Sequence, residues 1–148
     1  MSLAVFAALF AGALIAIQSA IIGSAGQTLN PFVAAVWVHL GGLVFGVVGV
    51  LVAPRLGFEL AAVRQAPWIL LAGVAGMLLV TGIAVAVGGL GLASTLAIVT
   101  GVQLLLGFAA EATGLVGPRA AVDPVRLLGA VVVVAGVYLV ASRGPVVI

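Results

Sequence analysis

The sequence predicts an all-α integral membrane protein of five transmembrane helices. Three observations lead there. The 148 residues are 66% hydrophobic, with a mean hydropathy of +1.52. Only 5% are charged, against about 25% in a water-soluble domain. Apolar runs of roughly 20 residues, the length that crosses a bilayer as a helix, recur near 3–24, 31–53, 67–88, 91–112 and 125–142. These runs are too long and too uniform for barrel strands, which alternate in polarity over about 10 residues. Helices satisfy their own backbone hydrogen bonds in lipid and are the remaining choice. Residues 1–148 are read as a single five-span membrane domain.

Each span has its punctuation. The first, opening "MSLAVFAALF", lacks a basic leader, and its apolar run exceeds the ~7–15 residues of a secretory signal. It reads as a retained span. "GSAGQTLNP" is a short polar turn, and Pro31 suits the first turn of span two. "PRLGFELAAVRQAP" forms the long second connection and ends just before Trp68, placed as an interfacial anchor of span three. "GGLG", residues 88 to 91, breaks spans three and four. Asp123 and Pro124 fit a cap and first turn for span five.

The arginines set the expected orientation. Arg55 and Arg64 lie in the second connection, and Arg119 and Arg126 lie in or beside the fourth. Both connections are on the side of the N-terminus, while Arg143 alone is on the other side. The positive-inside rule then predicts a cytoplasmic N-terminus and an outside C-terminus in the cell's inner membrane. The basic balance reflects this topology rather than nucleic-acid binding, because the arginines are scattered and lysine is absent. There is no cysteine and one histidine. No metal site, cofactor or catalytic constellation is expected: no acidic residue shares the histidine's depth to orient it.

Small residues mark helix faces that can pack closely. Gly42 and Gly46 form a G-x-x-x-G in span two, and Ala93, Ala97 and Gly101 recur in span four. Gly107, Ala110 and Gly114 continue that stripe, and span five carries Gly129 and Gly136. They serve packing within the chain or dimerisation through spans four and five.

The candidate site is a layer of polar residues inside the spans. With a rise of about 1.5 Å per residue, Gln18 lies ~9 Å inside span one, His39 ~12 Å inside span two, and Thr81 ~10 Å inside span three, all from the outer ends. Thr100 lies ~13 Å inside span four, with Gln103 a turn deeper. A polar group facing acyl chains costs several kcal/mol, so these side chains are expected to point toward one another or toward water. Thr81 and Thr100 have an alternative, a bond to their own backbone four residues back. Gln18 and Gln103 have none, because a primary amide cannot satisfy itself within a helix. His39 is either a neutral imidazole joining two helices or a ligand contact and proton-sensitive gate. Glu111, near the cytoplasmic end of span four, is either an ion-pair partner of Arg119 or Arg126 or a coupling group at the inner mouth.

The residues also resemble a known family. "GALIAIQSAIIGSAGQTLNPFVAAVWVHLGGLV" is similar to the opening of the YdcZ-like family of the drug/metabolite transporter (EamA-like) superfamily. The proline–Trp68 start, the V-T at residues 80–81, the A-S-T-L-A entry to span four and "GVQL" at 101 to 104, with one residue inserted between Gly and Gln, continue the likeness. "DPVRLLGAVVVVAGVYLV" resembles the superfamily's last helix. The resemblance implies one half of a ten-helix inverted-repeat transporter, with the site at the repeat interface near midplane. It carries Gln18, Thr81 and Gln103 as matching polar positions. Leu78 and Leu79 stand where aromatics are common, His39 replaces an aromatic or polar residue, and Glu111 replaces the more usual aspartate.

The expected function is a subunit of a small-molecule transporter working as a dimer by alternating access. Its expected partners are the lipid bilayer and a homodimeric or paralogous five-span copy, of opposite topology in the inverted arrangement. A small-solute channel and a non-transporting membrane subunit are the alternatives.

Overall fold

The computed structural model describes residues 2–53, 57–115, 119 and 123–142. Six helices follow in order: α1 (Leu3–Ala25), α2 (Pro31–Val52), α3 (Leu60–Gln65), α4 (Ile69–Leu90), α5 (Leu92–Thr113) and α6 (Pro124–Ser142). Five of them, all but α3, are long and apolar enough to cross a membrane. No strand occurs among the described residues. The observed spans begin and end within about two residues of the sequence expectation. Arg55 and Arg143, two of the residues behind the orientation count, lie outside the described residues.

The caps follow from local chemistry. The Ser2 hydroxyl accepts from the Val5 amide at 3.4 Å and opens α1. The Asn30 side chain accepts from the Phe32 amide at 2.9 Å, with Pro31 in the first turn of α2. Asp123 does the same for Val125 at 3.0 Å ahead of α6. Each cap satisfies an amide that has no intrahelical partner. α4 runs on through residues 88–90, and Gly91 alone separates it from α5. Its φ of 78° is a conformation that glycine adopts without strain. Gly114, at φ 76° and ψ 21°, closes α5 in the left-handed region.

α3 lies in the second connection, for which the sequence predicts no element. Leu, Ala, Arg and Gln are good helix formers, and Pro67 stops the short helix soon after Gln65.

The helices fall into two compact units, residues 1–88 and 89–148. In the first, α1, α2 and α4 meet around Ile22, Ala35, Val80 and Ala84, with Val38 and Met77 packed against them. The turn from Gly26 to Asn30 is short, and its backbone bonds from Gly26 to Ile22 and from Leu29 to Ala25, both 2.8 Å, fold α2 back beside α1. α1 approaches α4 at Gly23 and Gly26. A Cβ on Gly23 would overlap the Val87 side chain, whose own Cβ would lie 2.9 Å away. One on Gly26 would lie 3.2 Å from the Ala84 Cβ.

The second unit is an antiparallel hairpin of α5 and α6. Ser94 reaches the Val140 carbonyl, Gly101 faces Val137, and Glu111 meets Arg126. These three contacts run forward along α5 and backward along α6. Ala130 is the buried residue of α6. The remaining surfaces of all five long helices present exposed Leu, Val, Ile and Phe, as Phe45 at 82% shows. Such an exterior suits acyl chains rather than water.

The close approaches differ from the small-residue stripes of the sequence. Gly42, Gly46, Gly107, Gly129 and Gly136 have nothing within 4 Å of a notional Cβ. Gly101, by contrast, is crowded by a neighbouring helix, with Val137 Cγ2 3.1 Å away. The spacing of small residues marks where helices can approach. Which side is used depends on which large residues stand opposite.

Helices in lipid hold together by close packing rather than by exclusion from water, so overpacking at a contact is the sensitive perturbation. Gly23→Val is expected to destabilise the protein by about 1–3 kcal/mol, while Gly46→Val should change stability by less than about 0.5 kcal/mol. Reversible unfolding in mixed micelles measures both.

Candidate functional site

The polar residues of the spans are placed by the helices that carry them. Gln18 lies seven residues inside the C-terminal end of α1, about 10 Å. Its side chain is exposed and has no hydrogen-bond partner among the described residues. It stands in a groove of about 530 Å³ lined by Leu14, Ile15, Ile17, Ile21 and Ile22 of α1 and by Val38 of α2. The groove falls around Gln18 because Leu14, Ile15, Ile21 and Ile22 are its neighbours three and four residues away on one helix face.

His39 is half-buried on α2. Its Nδ1 lies 2.9 Å from the Ala35 carbonyl oxygen, one turn back. A carbonyl only accepts, so Nδ1 carries the hydrogen of this bond. Nε2 faces Gly76 of α4, where a Cβ would lie 2.9 Å from it. Glycine at this position lets the imidazole rest against the α4 backbone. His39 thereby packs from α2 against α4.

Thr81 is half-buried and donates its hydroxyl to the Met77 carbonyl at 2.8 Å. Because α4 continues to Leu90, Thr81 lies about 14 Å from the helix end, deeper than the sequence boundaries gave. No hydrogen bond links Gln18, His39 and Thr81 to one another among the described residues. α1, α2 and α4 contain no Asp, Glu, Lys or Arg.

In the second unit, Thr100 and Gln103 are exposed on α5, and neither has a hydrogen-bond partner among the described residues. The same helix buries two hydroxyls that depth arguments did not single out. Thr95, 1% exposed, donates to the Gly91 carbonyl at 2.8 Å. Ser94 donates across to the Val140 carbonyl at 3.5 Å. Ser19 of α1 is also buried. The available signal was size: small hydroxyl residues fit a helix crossing where an amide does not.

Glu111 accepts from Arg126 Nη1 at 3.0 Å, and the guanidinium carbon stands 5.7 Å from the centre of the Phe108 ring. This is one of the pairings expected from the sequence. Arg119 instead donates to the Thr113 carbonyl at 3.4 Å. The Glu111–Arg126 pair is about half-exposed, so its value in water would be on the order of 0–1 kcal/mol. It ties the end of α5 to the start of α6. Among the described residues no group of His, Cys, Asp or Glu could hold a metal ion.

Five apolar spans, with uncharged polar groups at intramembrane depth, define a polytopic α-helical membrane protein. Residues 3–139 match the family described as "Putative inner membrane exporter, YdcZ", and the chain belongs to that family. Family and helices together make it a multi-pass inner-membrane protein of a transporter family. Neither the curated proteins nor the solved structures include a significant match to the chain.

The His39–Gly76 contact makes a specific prediction. Gly76→Ala should destabilise the protein, and His39→Ala should relieve most of that loss. The expected coupling is about 0.5–3 kcal/mol in a double-mutant cycle read by unfolding in micelles. Simple additivity would mean that the imidazole does not occupy the space beside Gly76.

Proposed function

We propose that the chain is one subunit of a small-molecule exporter that works as a dimer by alternating access. Each subunit supplies five of the ten helices of an inverted-repeat transporter, in which substrate sites lie near midplane between repeats. The observation that carries this reading is Gln18, a primary amide about 10 Å inside a span, exposed in a groove and without a protein partner. An amide left against acyl chains costs several kcal/mol. A substrate, water or a second subunit at that face removes the cost.

Thr100 and Gln103 are read in the same way, from their own exposure on α5. Thr81 has its donor occupied by its own helix, so it offers a substrate only its remaining lone pairs. His39 is the titratable side chain within α1, α2 and α4, and proton coupling in this unit would turn on it. Glu111, held by Arg126, serves the joint of α5 and α6 rather than proton transfer.

The arginine distribution favours a cytoplasmic N-terminus. A chain committed to one orientation is completed by a paralogous partner of opposite topology; a parallel homodimer, the other arrangement this bias favours, would not form the inverted repeat.

Flux from proteoliposomes tests the reading. Efflux of a transported metabolite should saturate with concentration. Gln18→Leu and Gln103→Leu should each lower flux at subsaturating substrate by about 2- to 10-fold, the worth of one lost hydrogen bond, with the fold retained. Flux that rises without saturation would indicate a channel. Variants that lose only stability, about 1 kcal/mol each, would indicate a non-transporting subunit.

A further inference from the structure

The groove at Gln18 is lined by uncharged side chains. Its lining is six apolar side chains and one primary amide. The three long helices of the unit hold no charged residue. Among the described residues of this unit, charge is confined to the connection between α2 and α4, at Glu59 and Arg64. That connection follows the C-terminal end of α2, whereas Gln18 neighbours the turn before its N-terminal end. The groove's volume, about 530 Å³, is within the usual range for small-molecule sites, about 300–1,000 Å³.

An ion seated against this lining exchanges part of its hydration shell for apolar side chains and meets no counter-charge, and one neutral amide returns less than is lost. An uncharged molecule loses less, and its apolar body matches the lining. The amide offers two donors on nitrogen and an acceptor on oxygen. It therefore matches a hydroxyl, a carbonyl or another amide, and a bound group of that kind satisfies Gln18 in turn.

We propose that the groove binds an uncharged amphiphile: an apolar body carrying one hydrogen-bonding group, which pairs with the Gln18 amide. This inference names the substrate class for the exporter reading and rests on that reading for its role in transport. It assigns Gln18 to specificity by hydrogen bonding and the surrounding Leu and Ile side chains to binding the body.

The test separates binding from flux. The chain has two tryptophans, and Trp37 immediately precedes Val38 of the groove. In a Trp68→Phe background, the full-length protein in lipid vesicles reports contact at Trp37 through fluorescence quenching by a brominated probe. Three probes share one chain length: 11-bromoundecanamide, 11-bromoundecylammonium and 11-bromoundecanoate. Each is dosed by its mole fraction in the bilayer, so that partitioning does not decide the outcome. The amide should give a saturable component, with at least about tenfold tighter half-saturation than either ion. Gln18→Leu should weaken that component several-fold, whereas Gln27→Leu, which removes the same group in the turn beyond α1, should not. Equal or tighter binding of an ion, or an unchanged amide component in Gln18→Leu, overturns the proposal. Saturable amide binding without flux would support the groove's selectivity while removing the exporter reading. Flux of ionic substrates through a chain that does not bind the amide would do the reverse.

Discussion

In a bilayer a polar group must find a partner within the protein, and this requirement organises the whole chain. The backbone meets it by forming five long helices. Thr81, Thr95 and Thr113 meet it by donating to carbonyls in the preceding turn of their own helices. His39 meets it through the Ala35 carbonyl on one ring nitrogen. Ser94 reaches across to α6. Gln18, Thr100 and Gln103 are among the intramembrane polar residues whose side chains have no such partner among the described residues. The same rule that fixes the fold thus singles out where the fold is chemically incomplete, and the functional reading grows from those places.

Packing in this protein is a matter of clearance. The helices of the first unit approach closely at Gly23, Gly26 and Gly76, each beside a specific neighbour. Gly76 differs from the other two because its neighbour is a polar ring. A single glycine therefore serves both helix approach and the placing of His39. The ion pair of Glu111 and Arg126 plays a corresponding part in the second unit, where it ties the end of α5 to the start of α6.

Much of the fold was legible in the sequence. Twenty-residue apolar runs, Pro31 and Asp123 marked spans and a cap, because membrane thickness and unpaired helix-end amides act locally, whereas the Asn30 cap came only with the structure. α3 was not, because six residues of good helix formers carry too little pattern to stand out. The close approaches were legible only in part. The G-x-x-x-G of Gly42 and Gly46 has open space beside it, whereas Gly23 and Gly26 are crowded. Which small residues meet a partner depends on helix rotation, and apolar spans with lipid on most sides carry a weak record of rotation. For the site, depth could be counted along each helix, but side-chain partners could not. Counted along the sequence, Thr81 and Gln18 have comparable depth, yet one is bonded to its own helix and one is exposed in a groove.

The central claim is that the Gln18 face meets a route open to water or solute rather than plain acyl chains. Because the chain has no cysteine, a single introduced thiol can test this directly. N-ethylmaleimide reacts with the thiolate, and a thiol ionises only where water reaches it. Gln18→Cys in membrane vesicles should be labelled rapidly, while Phe45→Cys, on an exposed apolar stretch of α2, should remain unlabelled. If Gln18→Cys were as inert as Phe45→Cys, with the protein folded, the groove would be ordinary lipid-facing surface and the account of this chain as a transporter built around it would be contradicted.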